Sequence, residues 1–285
     1  MKISGFTFLR NAQLNGYPFI ESIQSLLPLV DEYVIAVGRS EDDTRAAISE
    51  LSNEKIKIID TEWNEMQSDR GFVYGQQKMI AQYNCTGDWA FYLEGDEVLH
   101  EDSLDKIYSQ LRAELANKQV EAFYFDFLHF YGTPKQTGIA GYRQAPRIIR
   151  NTIRSIAPDG LFFVVLDKNK RGRYPRARAT GEKIYHYGHC RSATKMQNKI
   201  NQVSKYWGAE AHPFVGYGNI DVKELRPFDG SHPAIMKKWL ATEAELEFTQ
   251  NDSYRPSKRD YRNRLRFWIE DRFDLEISKK HFSKI

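Results

Sequence analysis

The stretch TGDWAFYLEGDE, residues 86–97, decides the reading of this chain. It sets a short apolar run, Trp89 to Leu93, directly against a turn that places three carboxylates, Glu94, Asp96 and Glu97, within four positions. A continuous apolar run bounded by turn residues reads as a strand buried on both faces, as in an α/β sheet. Gly95 allows the backbone to turn tightly. Like charges this close repel one another, and a divalent cation that also bridges to phosphate oxygens relieves the repulsion. The plain alternative is an acidic turn ahead of a helix N-terminus.

Outward from this stretch, the same strand-turn-helix unit recurs. Ile3 to Phe8 is β-prone and ends at Leu9, Arg10 and Asn11, after which Pro18 to Leu29 carries apolar residues at helical spacing. Tyr33 to Val37 is a second apolar run, closed by GRSEDDT (38–44) and followed by a helix over Thr44 to Leu51. Lys55 to Asp60 gives a third strand and Phe72 to Tyr83 a third helix. Beyond the acidic turn, Leu104, Ile107, Leu111 and Leu115 mark an amphipathic helix, and FYFDFLHFY (123–131) a long aromatic strand. Arg147–Arg150 and Lys183–Tyr187 read as shorter strands separated by a loop, Lys168 to Arg178, rich in Pro, Gly and Arg. After about residue 192 the pattern is helical and ends in a basic helix. The expected fold class is α/β, a mostly parallel sheet flanked by helices, over residues 1–190. A helical C-terminal region with a basic amphipathic tail is expected over 191–285. In such a sheet ligands bind at the carboxyl ends of the strands.

Composition narrows the function. With 285 residues, 41% apolar and 28% charged, the chain is neither disordered nor collagen-like nor a disulfide-stapled miniature. Cys85 and Cys190 form no CxxC pair, which points to a reducing, cytoplasmic compartment. No apolar run reaches the length of a membrane span, and Arg10 interrupts the start before a signal-peptide core forms. The net charge of +3 is small but unevenly spread. Between Arg143 and Arg178 ten basic residues face two acidic ones, a local +8; from Lys258 onward nine face five, a local +4. The rest of the chain therefore carries −9. An acidic body with a basic belt and tail suits an anionic ligand or an anionic membrane surface.

Several side chains join the acidic turn as candidates. His186 and His189, in IYHYGHCR (184–191), can complete an oxygen-rich coordination sphere and favour Mn²⁺; a structural role is the alternative. Ser40, Asp42 and Thr44 precede a helix, where they either cap its free amides or meet a nucleotide. Arg10 and Asn11 close the first strand, where a ligand is expected.

In order and spacing, FLRN (8–11), DEYVIAVGRSEDDT (31–44), TGDWAFYLEGDE (86–97), LHFYG (128–132), RIIRN (147–151) and YHYG (185–188) together resemble family 2 glycosyltransferases of a bacterial branch with an Asp-x-Asp-Glu motif. The similarity spans about residues 3–190. It implies the GT-A nucleotide-sugar fold, Mn²⁺ or Mg²⁺ as cofactor, a donor of the UDP or GDP type and a glycan or glycolipid acceptor. It makes Glu94 and Asp96 the Asp-x-Asp equivalent and Glu97 the flanking acid, with Asp96, Glu97 and His186 as metal ligands. Ser40 and Asp42 match the Ser-x-Asp near base and ribose, and Arg70 and Gln77 lie on the donor side. The chain differs from the pattern at Glu94, Val37 and Met79, and lacks the Gln-x-x-Arg-Trp motif of processive polysaccharide synthases.

Glycosyl transfer needs charge stabilisation on the departing diphosphate and a base for the acceptor hydroxyl. Asp96 with its metal serves the first, aided by Arg147 or another basic-belt residue. Asp159 is the expected base, ahead of Asp126 and Glu182, and inversion follows by family analogy; the alternative for Asp159 is a Pro-Asp-Gly turn. The tail places Tyr261, Leu265, Trp268, Ile269 and Phe273 near one helical face among arginines, which suits docking on the body or on a second subunit, or contact with the inner membrane face. Two rival functions use the same features. A metal-dependent nucleotidyltransferase would show a Gly-rich basic phosphate loop, for which FLRNAQLNG (8–16) is a poor match, and a nucleic-acid-binding module would use Lys168–Arg178. No nucleic-acid partner is expected.

Overall fold

A computed structural model of the chain describes residues 1–67, 69–138, 141–242, 247–273, 277 and 280–285. Strands and helices alternate at first: β1 (Ile3–Leu9), α1 (Phe19–Leu26), β2 (Glu32–Gly38), α2 (Thr44–Glu50), β3 (Ile56–Thr61), α3 (Phe72–Tyr83) and β4 (Trp89–Tyr92). Then come β5 (Glu97–Leu99), α4 (Leu104–Ala113), β6 (Ala122–Tyr131), β7 (Thr133–Gly138) and β8 (Gln144–Arg150). The short strands β9 (Ser155–Ile156), β10 (Val164–Leu166) and β11 (Gly172–Arg173) form a small separate sheet, and β12 (Arg176–His189) returns to the main one. The remaining elements are α5 (Ala193–Val203), β13 (Leu225–Pro227), α6 (Lys237–Thr242), α7 (Lys258–Phe273) and β14 (Ser283–Lys284).

Parallel pairing runs through β4, β1, β2 and β3, with Phe6 opposite both Val34 and Tyr92. Beyond β4 the sheet becomes mixed: β8 and β6 add antiparallel, and β12 lies parallel to β6. The continuous apolar runs explain the sandwiching, because alternate side chains bury on opposite faces. Tyr33, Ile35, Val37, Trp89 and Phe91 pack on one side with Ile23 and Leu26 of α1; Val34, Ala36, Ala90 and Tyr92 pack on the other with Ala81 of α3. The fold class is therefore α/β, as the strand pattern indicates.

Two segments differ from the reading by composition. β12 begins at Arg176, inside the stretch read as a loop, because the guanidinium groups of Arg173 and Arg176 are drawn onto the buried Glu121. Strand residues rich in Arg, Pro and Gly then escape notice. The region after residue 190 also contributes strands: β13 pairs with β7 and β14 with β12, and Phe282 stacks on Tyr124 at 4.3 Å between ring centroids. The tail's residues 274–276 and 278–279 lie outside the described residues.

Pairing also removes much of the basic belt. Arg150 donates to the carbonyls of Glu114, Leu115, Asn117 and Val120 and lies on the Trp89 ring, while Arg178 pairs with Glu114. Arg147 is wholly buried. These cations staple the sheet's far half together and do not form a free anion-binding surface.

Candidate active site

The carboxyl ends of β1, β2 and β4 converge, so the loops carrying Arg10 and Asn11, Ser40 and Asp42, and Glu94 to Glu97 come together. The turn after β4 folds tightly against β1: a Cβ on Gly95 would come within 2.6 Å of the Leu9 side chain. Glycine is needed there for close approach. β5 then reverses along β12, which sets Glu97 opposite His186 in register.

The three acids of this turn part company. Glu97 is wholly buried and takes Arg147 on both oxygens, Nε at 2.7 Å from Oε2 and Nη2 at 2.5 Å from Oε1. Arg147 Nη2 also reaches Glu94 Oε1 at 3.2 Å, and Nη1 donates to the Leu161 carbonyl at 2.9 Å. Burial, reinforced by the neighbouring Glu97 charge, raises the Glu94 carboxyl to about 8 despite Arg147. Asp96 behaves oppositely. Burial would raise it, but Lys199, His186 and Arg191 outweigh burial and hold it well below the usual carboxylate range. Its Oδ2 receives Lys199 Nζ at 3.1 Å and Arg191 Nη2 at 3.2 Å, leaving Oδ1 facing His186 Nε2 at 3.5 Å.

A chain of hydrogen bonds orients that imidazole. His129 Nε2 lies 2.7 Å from the Tyr142 carbonyl oxygen, which can only accept, so the His129 proton sits on Nε2. Burial, then the adjacent His186, lowers His129 to about 3 and keeps it neutral, with a lone pair on Nδ1. His186 Nδ1, 2.7 Å away, must therefore donate. In neutral His186 this leaves the Nε2 lone pair aimed at Asp96 Oδ1. Two acceptors facing each other are relieved by a cation between them, a proton or a metal ion. An imidazole fixed through its other nitrogen has the tautomer a metal ligand requires.

Among the described residues no group of three or more His, Cys, Asp or Glu is arranged to hold a metal ion. The set that fits is Asp96 with His186, a pair that phosphate oxygens and water would complete for a Mg²⁺-like ion. Glu97, read from sequence as a ligand, is instead committed to Arg147.

These groups line one side of a cleft of about 330 Å³, with Glu94, Asp96, Tyr142, His186 and Lys199 at one end and Arg10, Trp63, Tyr74, Tyr206 and Trp207 among its aromatic walls. Arg10 lies 5.3 Å from the Trp63 ring centroid and donates to Tyr206 Oη at 2.8 Å. Asn11 sits on the cleft in the left-handed region (φ 50°), its amide donating to Ser40 Oγ at 3.0 Å. Asp42 accepts the Leu14 amide at 2.7 Å, as well as the Thr44 amide and hydroxyl. Ser40 and Asp42 thus knit two loops together and open onto a second recess of about 420 Å³ beside Arg39 and Asp60.

Other sequence candidates lie elsewhere. Gln77 is buried and accepts from Thr61 Oγ1 at 2.6 Å, so its polarity serves α3–β3 packing. Arg70 is 90% exposed beside Asp69 and does not line the cleft. Asp159 Oδ1 accepts the Leu161 amide at 2.8 Å and the Phe162 amide at 3.3 Å, the geometry of a self-capped turn. Its neighbours Gly160 and Leu161 line the cleft. Asp126 is bound by Gln144 and Glu182 by Lys106 and Ser103, away from the cleft.

Sequence reading missed Lys199, Arg191, His129, Tyr142 and Lys78. Wholly buried Lys78 donates to the Gly160 carbonyl at 2.9 Å and so fixes the Asp159 turn from below. The only sequence signal for His129 is its place in the aromatic strand beside His186, which the β6–β12 register makes direct partners.

A sheet whose strand ends gather an acidic turn, a polar loop and an aromatic-walled cleft sets its candidate chemistry in one crevice, as open α/β sheets do. The chain belongs to glycosyl transferase family 2, whose model matches residues 11–164, more than half of its length. It is 24% identical over 226 residues to an uncharacterized glycosyltransferase of Rickettsia felis, covering 76% of this chain and 71% of that protein. Among solved structures it is similar to S. aureus TarS 1–349 in complex with UDP, at 14% identity and a TM-score of 0.38, over 72% of this chain and 56% of that one. It is also similar to glucosyl-3-phosphoglycerate synthase from Mycobacterium tuberculosis in complex with Mn²⁺ and UDP-glucose, at 16% identity and a TM-score of 0.31, over 45% and 44%. The chain thus spans just over half of the TarS structure and less than half of the synthase.

Proposed function

We propose that the cleft transfers a sugar, with inversion, from a nucleotide-sugar donor of the UDP or GDP type to a hydroxyl of a glycan or glycolipid acceptor, using Mn²⁺ or Mg²⁺ held by Asp96 and His186. The observation that carries this reading is the 3.5 Å approach of Asp96 Oδ1 and His186 Nε2 on the cleft wall, with the imidazole tautomer set by His129. When bound, the cation supplies Lewis-acid neutralisation of the leaving diphosphate.

The protein's own groups do the rest. Arg191 is wholly buried and holds Asp96 Oδ2, so the carboxylate keeps Oδ1 toward the imidazole. Lys199 lines the cleft and can turn from Asp96 to a phosphate oxygen, a charge-assisted donor where negative charge develops. Arg10 and Asn11 hold the nucleotide at the other end, with Ser40 and Asp42 behind them. Glu97 and Arg147 act as one buried unit that braces Glu94 and the Leu161 carbonyl. Asp159 takes the acceptor proton through Oδ2, its Oδ1 being fixed by two amides.

A turnover panel of UDP-, GDP-, CMP- and TDP-sugars, with and without Mn²⁺ or Mg²⁺, tests the reading. Metal-dependent release of one nucleotide is expected, abolished in Asp96→Asn and lowered at least about 100-fold in Asp159→Asn. Release without metal at the full rate, or full activity of Asp96→Asn, would overturn it.

A further inference from the structure

The last long helix, α7, divides its residues unusually. Asp260, Asn263, Phe267 and Glu270 face the body and are at most 9% exposed. Glu270 pairs with Arg143 at 2.9 Å, Asn263 donates to Glu224 at 3.2 Å, and Arg264 pairs with Asp221. On the outer side Tyr261, Leu265 and Trp268 follow helical spacing and, with Phe273, are each 56–58% exposed. Such large apolar groups aligned on one exposed face mark a contact surface.

Charge identifies what covers it. Asp260 and Glu270 are turned inward, whereas Lys258, Arg262 and Arg272 stay exposed beside the apolar stripe. Among the described side chains the outer face of α7 is therefore apolar and cationic, the pattern that seats a helix at an anionic bilayer surface. No helix among the described residues is long and apolar enough to cross a membrane. Arg143, which holds Glu270, directly follows Tyr142 of the cleft wall.

We propose that the outer face of α7 docks this enzyme on an anionic lipid surface, with Tyr261, Leu265 and Trp268 entering the headgroup boundary and Lys258, Arg262 and Arg272 meeting the headgroups. The Arg143–Glu270 tie then keeps the Tyr142 side of the cleft near the bilayer.

The test is co-sedimentation of the full chain with phosphatidylcholine vesicles and with mixed phosphatidylcholine–phosphatidylglycerol vesicles, across a salt series. Binding to the mixed vesicles that weakens with salt is expected, with little binding to phosphatidylcholine alone. The double variant Leu265→Glu/Trp268→Glu should keep its thermal midpoint yet lose affinity at least about tenfold, and Arg262→Gln/Arg272→Gln should lose affinity for the anionic vesicles only. Absence of binding to the mixed vesicles, or equal binding by the first variant, would overturn the proposal. So would self-association, seen by velocity sedimentation, that Leu265→Glu/Trp268→Glu dissolves while no form of the protein binds vesicles.

Discussion

His129 Nδ1 lies 2.7 Å from His186 Nδ1, with the two rings 88° apart, and this contact decides which nitrogen of His186 faces Asp96. Because His129 spends its proton on the Tyr142 carbonyl, it can only accept from His186. Glutamine can reproduce both bonds, whereas phenylalanine can make neither. His129→Phe should weaken Mn²⁺ binding about 10–100-fold, and His129→Gln should recover most of that loss. Electron paramagnetic resonance of free Mn²⁺ reads the affinity without requiring turnover. Equal loss in both variants would assign His129 to packing alone.

The Arg147–Glu97 pair is wholly buried, so removing one partner strands a charge in a dry interior. Arg147→Met should cost about 3–5 kcal/mol of stability by urea denaturation, while Arg147→Met/Glu97→Met should recover more than half of that loss. Strictly additive losses would contradict the pairing.

Glu32 supplies a pH dependence whose sign is fixed. Burial would raise its carboxyl, but bonds from the Ser4 hydroxyl and from the Thr86 amide and hydroxyl outweigh burial and hold it at about 2, against an ordinary 4.5. The native state therefore favours the ionised form, and the stabilisation is complete above about pH 4.5 and drains away as pH falls toward 2. Glu32→Gln should be less stable than the parent at neutral pH and should lose less on acidification through this window. Parallel stability curves for the two proteins would refute the assignment.

Lys199 rests on Asp96 Oδ2 and the Gly188 carbonyl, each at 3.1 Å, while lining the cleft. If it stabilises the leaving phosphate, Lys199→Met should lower kcat on the order of 100-fold in protein that circular dichroism shows still folded at the assay temperature. Steady-state kinetics with saturating donor would show it. An effect confined to KM would leave Lys199 a role in ground-state binding only.

The sheet was legible because Tyr33–Val37 and Trp89–Leu93 are continuous apolar runs, a signal that survives without knowledge of partners. Strand ends also fix where the crevice falls, so the positions of Arg10, Asn11 and Asp96 beside it follow from the strand pattern, and His186 lines the same cleft. Glu97, expected as a metal ligand, and Gln77, expected on the donor side, bond partners distant in sequence, Arg147 in the first case and Thr61 in the second, which no local pattern shows. Lys199 and Arg191 were silent because an ordinary basic residue on or before a late helix carries no local mark of facing an acid about a hundred positions earlier. The basic belt shows the converse: Arg150 and Arg173 look like surface charge in one dimension and are structural staples in three.

The most direct measurement is calorimetric titration of UDP into the protein with and without Mn²⁺, repeated for Asp96→Asn and His186→Phe. Mn²⁺ should strengthen nucleotide binding at least about tenfold in the parent and not at all in either variant. An Mn²⁺ enhancement that persists in both variants would contradict that expectation.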